Sequence, residues 1–188
     1  MLLRTHSMLP MPTAPMPVNV PMNALLDWLG AHGIGYDLHE HPLAFTALEA
    51  ARAEGLDPHA FVKTLAVGRS DGRRALIAIE ASDHLDLEAA ARLLDTDRIR
   101  LLTEFELLDL APSCDVGALP PIGDLFGVPV FADVALLDVD RITFHAGSHR
   151  HAVRLARRDW ERSARVRFGR IATMFDPLAA ALTEWTWY

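Results

Sequence analysis

The 188-residue chain carries 18 basic and 25 acidic side chains, a net charge of −7, with 51% hydrophobic and 23% charged residues. That balance excludes a disordered chain, and the length suits one well-buried domain better than two. No apolar run approaches the roughly 18 residues of a membrane span. The single cysteine, Cys114, excludes an internal disulfide framework, and the proline-broken N-terminus lacks the apolar segment of a secretory signal, so a cytoplasmic protein is expected.

In chain order, residues 1–21 hold five prolines with little periodicity and read as a proline-rich, disordered arm. Asn23 is a candidate cap for a helix with the apolar face Leu25, Leu26, Trp28 and Leu29, ending at Gly33. Tyr36–His41 reads as a short strand halted by Pro42. Thr46 and Glu49 stand at capping-box spacing before a helix that runs to Glu54. Two alternating apolar segments follow, 61–69 and 74–80, joined through Asp71-Gly72 as a hairpin. A helix over 86–94, a strand over 98–102 and a second capping-box helix from Thr103 to Leu110 come next. The stretch 115–123, DVGALPPIG, is a glycine- and proline-rich loop, rigid without being regular. Strands are expected over 128–132, 141–145 and 151–155, with a helical or turn segment around Leu136 and a tight turn at Gly147-Ser148. An arginine-rich helix from Arg157 and a tryptophan-bearing helix over 176–187 close the chain. The expected fold is an α+β single domain over 22–172, a mixed, mostly antiparallel curved sheet of six to seven strands, partly barrel-like and flanked by helices, with 173–188 as a tail.

Charge is used unevenly. Lys63 is the only lysine against 17 arginines, and it stands in an alternating apolar run, AFVKTLAV. Lysine is a compact point charge with a pKa that burial shifts, whereas arginine is planar and permanently charged. A lysine kept there points to a pocket wall or mouth, the alternative being a strand-edge residue without a role. Between Arg150 and Arg170, eight arginines face two acids, a local +6 that leaves −13 on the remainder. Such a stripe suits a phosphate-bearing partner, or else it is a solvated helix face. Ser148, in A-G-S-H, and Cys114 lack the surroundings of a nucleophile. The pairs His39/His41 and His149/His151 have the two-residue spacing of strand metal ligands, without an acidic ligand motif beside them.

Taken together, HEHP with the FTALEAA helix, the F-V-K-T-L strand, the VGALPPIG loop and FHAGSHRHAVRL resemble the YbaK/EbsC family, relatives of the editing domain associated with prolyl-tRNA synthetase. The resemblance covers about Asn23 to Phe168. It implies that Lys63 is the key site residue for removing an amino acid from a tRNA 3′ end. It also implies that Gly117 and Pro121 belong to a G-x-x-x-P loop offering backbone donors to the scissile carbonyl. Gly147, Ser148 and His149 would form a third wall, Phe45 and Thr46 a fourth, and Ile122 would line the pocket. The proline-rich arm, the tryptophan-rich tail and Cys114 have no place in the family pattern.

The expected activity is that of a trans-acting, metal-independent aminoacyl-tRNA deacylase without cofactor, clearing a small amino acid from a misacylated tRNA. Lys63 and Gly117 would carry the chemistry, and Arg150, Arg154, Arg157 and Arg158 would meet acceptor-stem phosphates. The expected partners are the tRNA acceptor end and an aminoacyl-tRNA synthetase, with no membrane and no DNA. Two rivals stay open: a non-catalytic member of the fold that binds a tRNA end or nucleotide, and a metal-dependent hydrolase using His39/His41 and His149/His151.

Overall fold

The structure is a computed structural model describing residues 20–174. Residues 1–19 of the expected arm and the 176–187 helix therefore lie outside the described residues, while Val20 and Pro21 belong to a helix rather than to the arm. The first helix, α1 (Val20–Ala31), begins three residues before Asn23, which is an exposed residue inside it rather than its cap. Pro21 does not oppose this start, because the first-turn N–H groups of a helix have no intrahelical partner to lose. Gly33, at φ +65°, ends the helix, and Ile34 N–H donates back to Leu29 O.

The strand β1 (Tyr36–Glu40) leads to α2 (Ala47–Ala53), whose cap is the expected Thr46: its hydroxyl accepts from Glu49 N while Glu49 Oε2 accepts from Thr46 N. After a 3₁₀ turn over Pro58–Ala60 come β2 (Val62–Arg69) and β3 (Arg74–Glu80), paired antiparallel around Asp71-Gly72 as the hairpin signal predicts. The chain continues with β4 (His84–Leu85), α3 (Leu87–Leu93), β5 (Ile99–Leu101) and α4 (Glu104–Leu110), the last with its full capping box. Then follow β6 (Val130–Asp133), β7 (Arg141–His145), β8 (His151–Ala156), α5 (Arg157–Ser163), β9 (Arg167–Gly169) and β10 (Ala172–Thr173).

The α+β class and the mostly antiparallel pairing stand, but the single curved sheet does not. The strands form a three-stranded sheet β1-β8-β7, a five-stranded sheet β5-β2-β3-β6-β9 and a two-stranded ribbon β10-β4, with no closed barrel among the described residues. Pairings β3–β6 and β6–β9 are parallel and the others antiparallel. The two larger sheets touch at one parallel bridge, Phe61 to Thr143. This contact positions the site, because two residues further along both chains come Lys63 and His145.

The main core lies where α1, α5 and the inner faces of both large sheets meet, with Leu25, Leu29, Val62, Phe144, Leu155 and Trp160 fully or nearly fully buried. On the other face of the five-stranded sheet, α3 covers Val67, Ile77 and Ile79. The central strand β3 is thus apolar on both faces, which explains its unbroken run ALIAI. A third cluster packs the small face of α2, Ala47, Ala50 and Ala51, against Phe61 and Ala152.

Candidate active site

Lys63 lies opposite Ile79 in the β2–β3 register, and its half-buried side chain runs towards the turn that leaves β3. Its Nζ donates to Ala81 O at 3.2 Å and to Asp83 O. An ammonium has three donors, so one N–H remains to meet a ligand. Burial lowers the Lys63 pKa and the Asp83 carboxylate works against that. Behind it lies an ionisable group of side chains that the motif reading missed. Glu80 is buried and bonded to His59 Nδ1, and Asp83 is buried beside Ser82. Burial raises the pKa of both carboxyls, and the bond to Glu80 raises that of His59. The sequence signal for this group was present only as a charged E-A-S-D turn closing an apolar strand.

The second part is the 115–118 loop, docked on the turn after β7. Asp115 N–H donates to Gly147 O, Gly147 N–H to Ala118 O, and Asp115 Oδ2 accepts from His149 N at 3.0 Å. Gly117 sits at φ +90°, the left-handed region where a side chain is strained. A Cβ there would stand 3.7 Å from the His149 ring and 4.0 Å from Phe45 O. The N–H groups of Val116 and Gly117 have no hydrogen-bond partner among the described residues. Phe45, 64% exposed, meets the His149 ring edge-on at 5.3 Å. The structure thus brings together Gly117, His149 and Phe45.

Between these walls stands a histidine trio. His41, His145 and His149 are 5%, 3% and 8% exposed, and the His145 ring lies 5.6 Å from His41 and 5.5 Å from His149. Burial, helped by the two neighbouring rings, lowers the His145 pKa to about 4, so its ring is neutral at pH 7. Phe61 closes the trio edge-on at 5.3 Å. His145 was not among the sequence candidates; three histidines within 145–151 were the available signal.

Several expected residues are placed otherwise. Ile122 is fully buried in the main core, so it lines no pocket, and Pro121 is buried with its carbonyl accepting from Trp160 Nε1 at 2.8 Å. Thr46 is occupied as a helix cap. Ser148 Oγ lies 2.7 Å from His151 Nδ1 and accepts from Arg150 N at 3.4 Å, a role in holding its turn. The paired histidines do not converge: His39 Nδ1 faces Glu54 and His151 faces Ser148, while only His41 and His149 meet, through His145 between them. No set of three metal-ligating side chains is grouped for a metal ion among the described residues.

The arginines also divide. Arg150 and Arg158 are exposed, and Arg154 is half-buried on β8. Arg157, 7% exposed, departs from the expectation of a phosphate contact: Nε donates to Val139 O at 3.1 Å and Nη1 to Glu161. Arg162 and Arg165 pair with Asp159 and Asp124, so part of the local charge is already neutralised. Cys114 is buried and its thiol is pushed up to about 11, which keeps it protonated. It lines an apolar cavity of about 160 Å³ with Ala24, Pro120 and Phe126, apart from Lys63 and the trio. No described helix is long and apolar enough to cross a membrane.

Comparison with solved structures places this fold among known ones. A scaffold protein from the computational grafting of linear epitopes is 27% identical, with a TM-score of 0.73 over 84% of this chain and 100% of its own. A candidate trans-editing enzyme for prolyl-tRNA synthetase is 24% identical, with a TM-score of 0.74 over 83% of this chain and 99% of its own. A hypothetical protein at 20% identity has a TM-score of 0.73 over 79% and 99%. Among curated proteins no match is found. The model of the aminoacyl-tRNA editing domain matches residues 41–163, a span that opens at His41 of the trio and takes in Lys63, the 115–118 loop and the 147–149 turn. Because that span is well over half of the chain and holds every part of the site, the chain belongs to the aminoacyl-tRNA editing domain family.

Proposed function

We propose that the chain is a trans-acting aminoacyl-tRNA deacylase that hydrolyses the ester of a misacylated tRNA carrying a small amino acid. The observation that carries the reading is Lys63, a half-buried ammonium held by two main-chain carbonyls with one donor left over. That donor anchors the terminal phosphate or ribose and sets the ester against the 115–118 loop. An aminoacyl ester is already activated, so positioning and charge stabilisation supply most of what hydrolysis requires.

Water adds to the ester carbonyl carbon, and the developing oxyanion is met by the free N–H groups of Val116 and Gly117, each such donor contributing about 3 kcal/mol. Collapse expels the ribose 3′-oxygen. The proton lost by the water passes through the ribose 2′-hydroxyl to that oxygen, leaving a free amino acid and a 3′-hydroxyl terminus. This relay asks for no nucleophilic side chain, no triad and no metal. Phe45 and His149 narrow the entrance, which favours small side chains over larger cognate ones. The exposed Arg150 and Arg158, with Arg154, are available to acceptor-stem phosphates.

The test is a panel of alanyl, seryl and cysteinyl esters on non-cognate tRNAs, with and without EDTA. Turnover that survives EDTA and disappears in Lys63→Ala is expected. If no ester is turned over above background at micromolar protein, the reading gives way to a binder of tRNA ends. Loss of all activity in EDTA, restored by zinc, would return the metal-dependent alternative.

A further inference from the structure

The histidine trio has a proton inventory that its surroundings determine. His41 Nδ1 lies 2.8 Å from Pro42 O, and a carbonyl only accepts, so Nδ1 carries the proton and Nε2 presents a lone pair. His149 Nε2 lies 2.9 Å from Val116 O, so by the same reasoning its Nδ1 presents a lone pair. His145, neutral at pH 7, holds one N–H and one lone pair. His41 Nε2, His149 Nδ1 and both nitrogens of His145 are buried without a hydrogen-bond partner. Two obligatory acceptors therefore flank a ring that donates once and accepts once, and leaving such buried groups unmet is costly.

We propose that His41, His145 and His149 form a hydrogen-bonding floor that recognises a hydroxyl on the side chain of the aminoacyl group, so that a seryl ester is preferred over an alanyl ester; this rests on the deacylase reading above. A hydroxyl donates to one of these three lone pairs and accepts from the His145 N–H, so it alone among small side-chain groups meets both kinds of site. A methyl does neither. A carboxylate or phosphate only accepts and meets the lone pairs of His41 and His149 with repulsion, whereas an ammonium only donates and leaves the His145 N–H unmet. A thiol donates weakly, so a cysteinyl ester ranks between the two.

Position supports the same ligand. Gly117 lies against His149 and Phe45, and the Phe61–Thr143 bridge brings His145 to the position on β7 that Lys63 holds on β2. A small side chain attached to an ester anchored by Lys63 therefore projects towards the trio, with Phe45 and Phe61 as apolar walls. A site built to bond a hydroxyl rejects the analogue lacking it far more strongly than an apolar pocket rejects a missing methylene.

The experiment compares kcat/KM for seryl and alanyl esters of one tRNA. The expected seryl preference is about 100-fold or more, falling at least tenfold in His41→Phe and His149→Phe, which keep an aromatic ring and remove the acceptor. A binding measurement runs beside it, using 3′-amide analogues of seryl- and alanyl-adenosine, which are not hydrolysed. In ¹⁵N spectra the seryl amide should shift at least one of His41 Nε2 and His149 Nδ1, and the alanyl amide should shift neither. Equal seryl and alanyl rates, or a ratio unmoved by both variants, would overturn the floor and leave a fixed water or plain packing. Stoichiometric zinc on the three rings would overturn it as well. If neither ester is hydrolysed while the seryl amide still shifts these nitrogens, the deacylase reading fails and the hydroxyl site stands. If both esters are hydrolysed equally, the reverse holds.

Discussion

Lys63 Nζ donates to the main-chain carbonyl of Asp83, twenty residues further along the chain, and also to Ala81 O. The ammonium is thus located by backbone rather than by a carboxylate partner, which leaves its charge available to an anionic ligand. Two carbonyls converging on one nitrogen suit a compact ammonium better than a planar guanidinium. Lys63→Ala is expected to lower kcat/KM on a mischarged tRNA by about 100-fold or more, the scale of a lost positioning group. Lys63→Arg should not restore the rate, although it keeps the charge. Turnover of the arginine variant at the parent rate would show that charge alone matters.

Gly117→Val tests the loop. The φ of +90° strains any side chain, and the new atoms meet His149 and Phe45 O. The strain should lower the melting temperature modestly, while at temperatures where the variant is folded kcat falls about 100-fold, the cost typical of losing one oxyanion donor. Full activity would remove the backbone-donor role.

His145 predicts a pH dependence of stability. Its folded pKa, about 4, lies below the ordinary histidine value of 6.5. The unfolded chain therefore binds more protons between these values, and stability present above pH 6.5 is lost as the pH falls through 4. The groups facing it are His41, His149, the His151 backbone and Asp115, of which the His151 backbone and Asp115 favour its protonation. The shift corresponds to roughly 3 kcal/mol at 1.36 kcal/mol per unit. Denaturant titrations at pH 7, 5.5 and 4 should show a smaller acid loss in His145→Phe than in the parent. Identical slopes would place the acid sensitivity elsewhere.

The arginines predict two different phenotypes. Arg157→Ala removes a buried guanidinium from Val139 O and Glu161, and should cost about 2 kcal/mol of stability by urea denaturation. Replacing the exposed Arg150 and Arg158 together should leave stability unchanged, weaken tRNA binding and reduce the salt slope by about 1 to 2 units. An unchanged slope would make these two residues a solvated face.

The features legible in the chain were those decided within a few residues. Thr46 with Glu49 and Thr103 with Glu106 cap their helices because a hydroxyl and a carboxylate three residues apart reach each other's N–H groups wherever the helix lies. Asp71-Gly72 closes the β2–β3 hairpin because the turn chemistry is local, and Lys63 stood out through composition and strand alternation. Even Gly117 and His149 could be named, since the motifs that carry them are short and continuous.

Long-range pairing decided the rest. The strands β4, β9 and β10 are two or three residues long, and nothing in so short a stretch marks it as a strand until Phe131, Ala132 and Asp133 of β6 line up with 167–169, or His84 and Leu85 with 172–173. Ile122 reads as a pocket residue beside a rigid loop, yet the packing of Trp160 turns it into the core. Arg157 reads as one of a stripe, yet the carbonyl of Val139, eighteen residues earlier, draws it inward. The histidine trio takes one ring from the chain after β1, one from the end of β7 and one from the β7–β8 turn, and only the pairing of β1 with β8 and the contact between the two sheets set them side by side. Local sequence determined which side chains are present and how they cap and turn; burial and distant carbonyls determined which nitrogens are left to face a substrate.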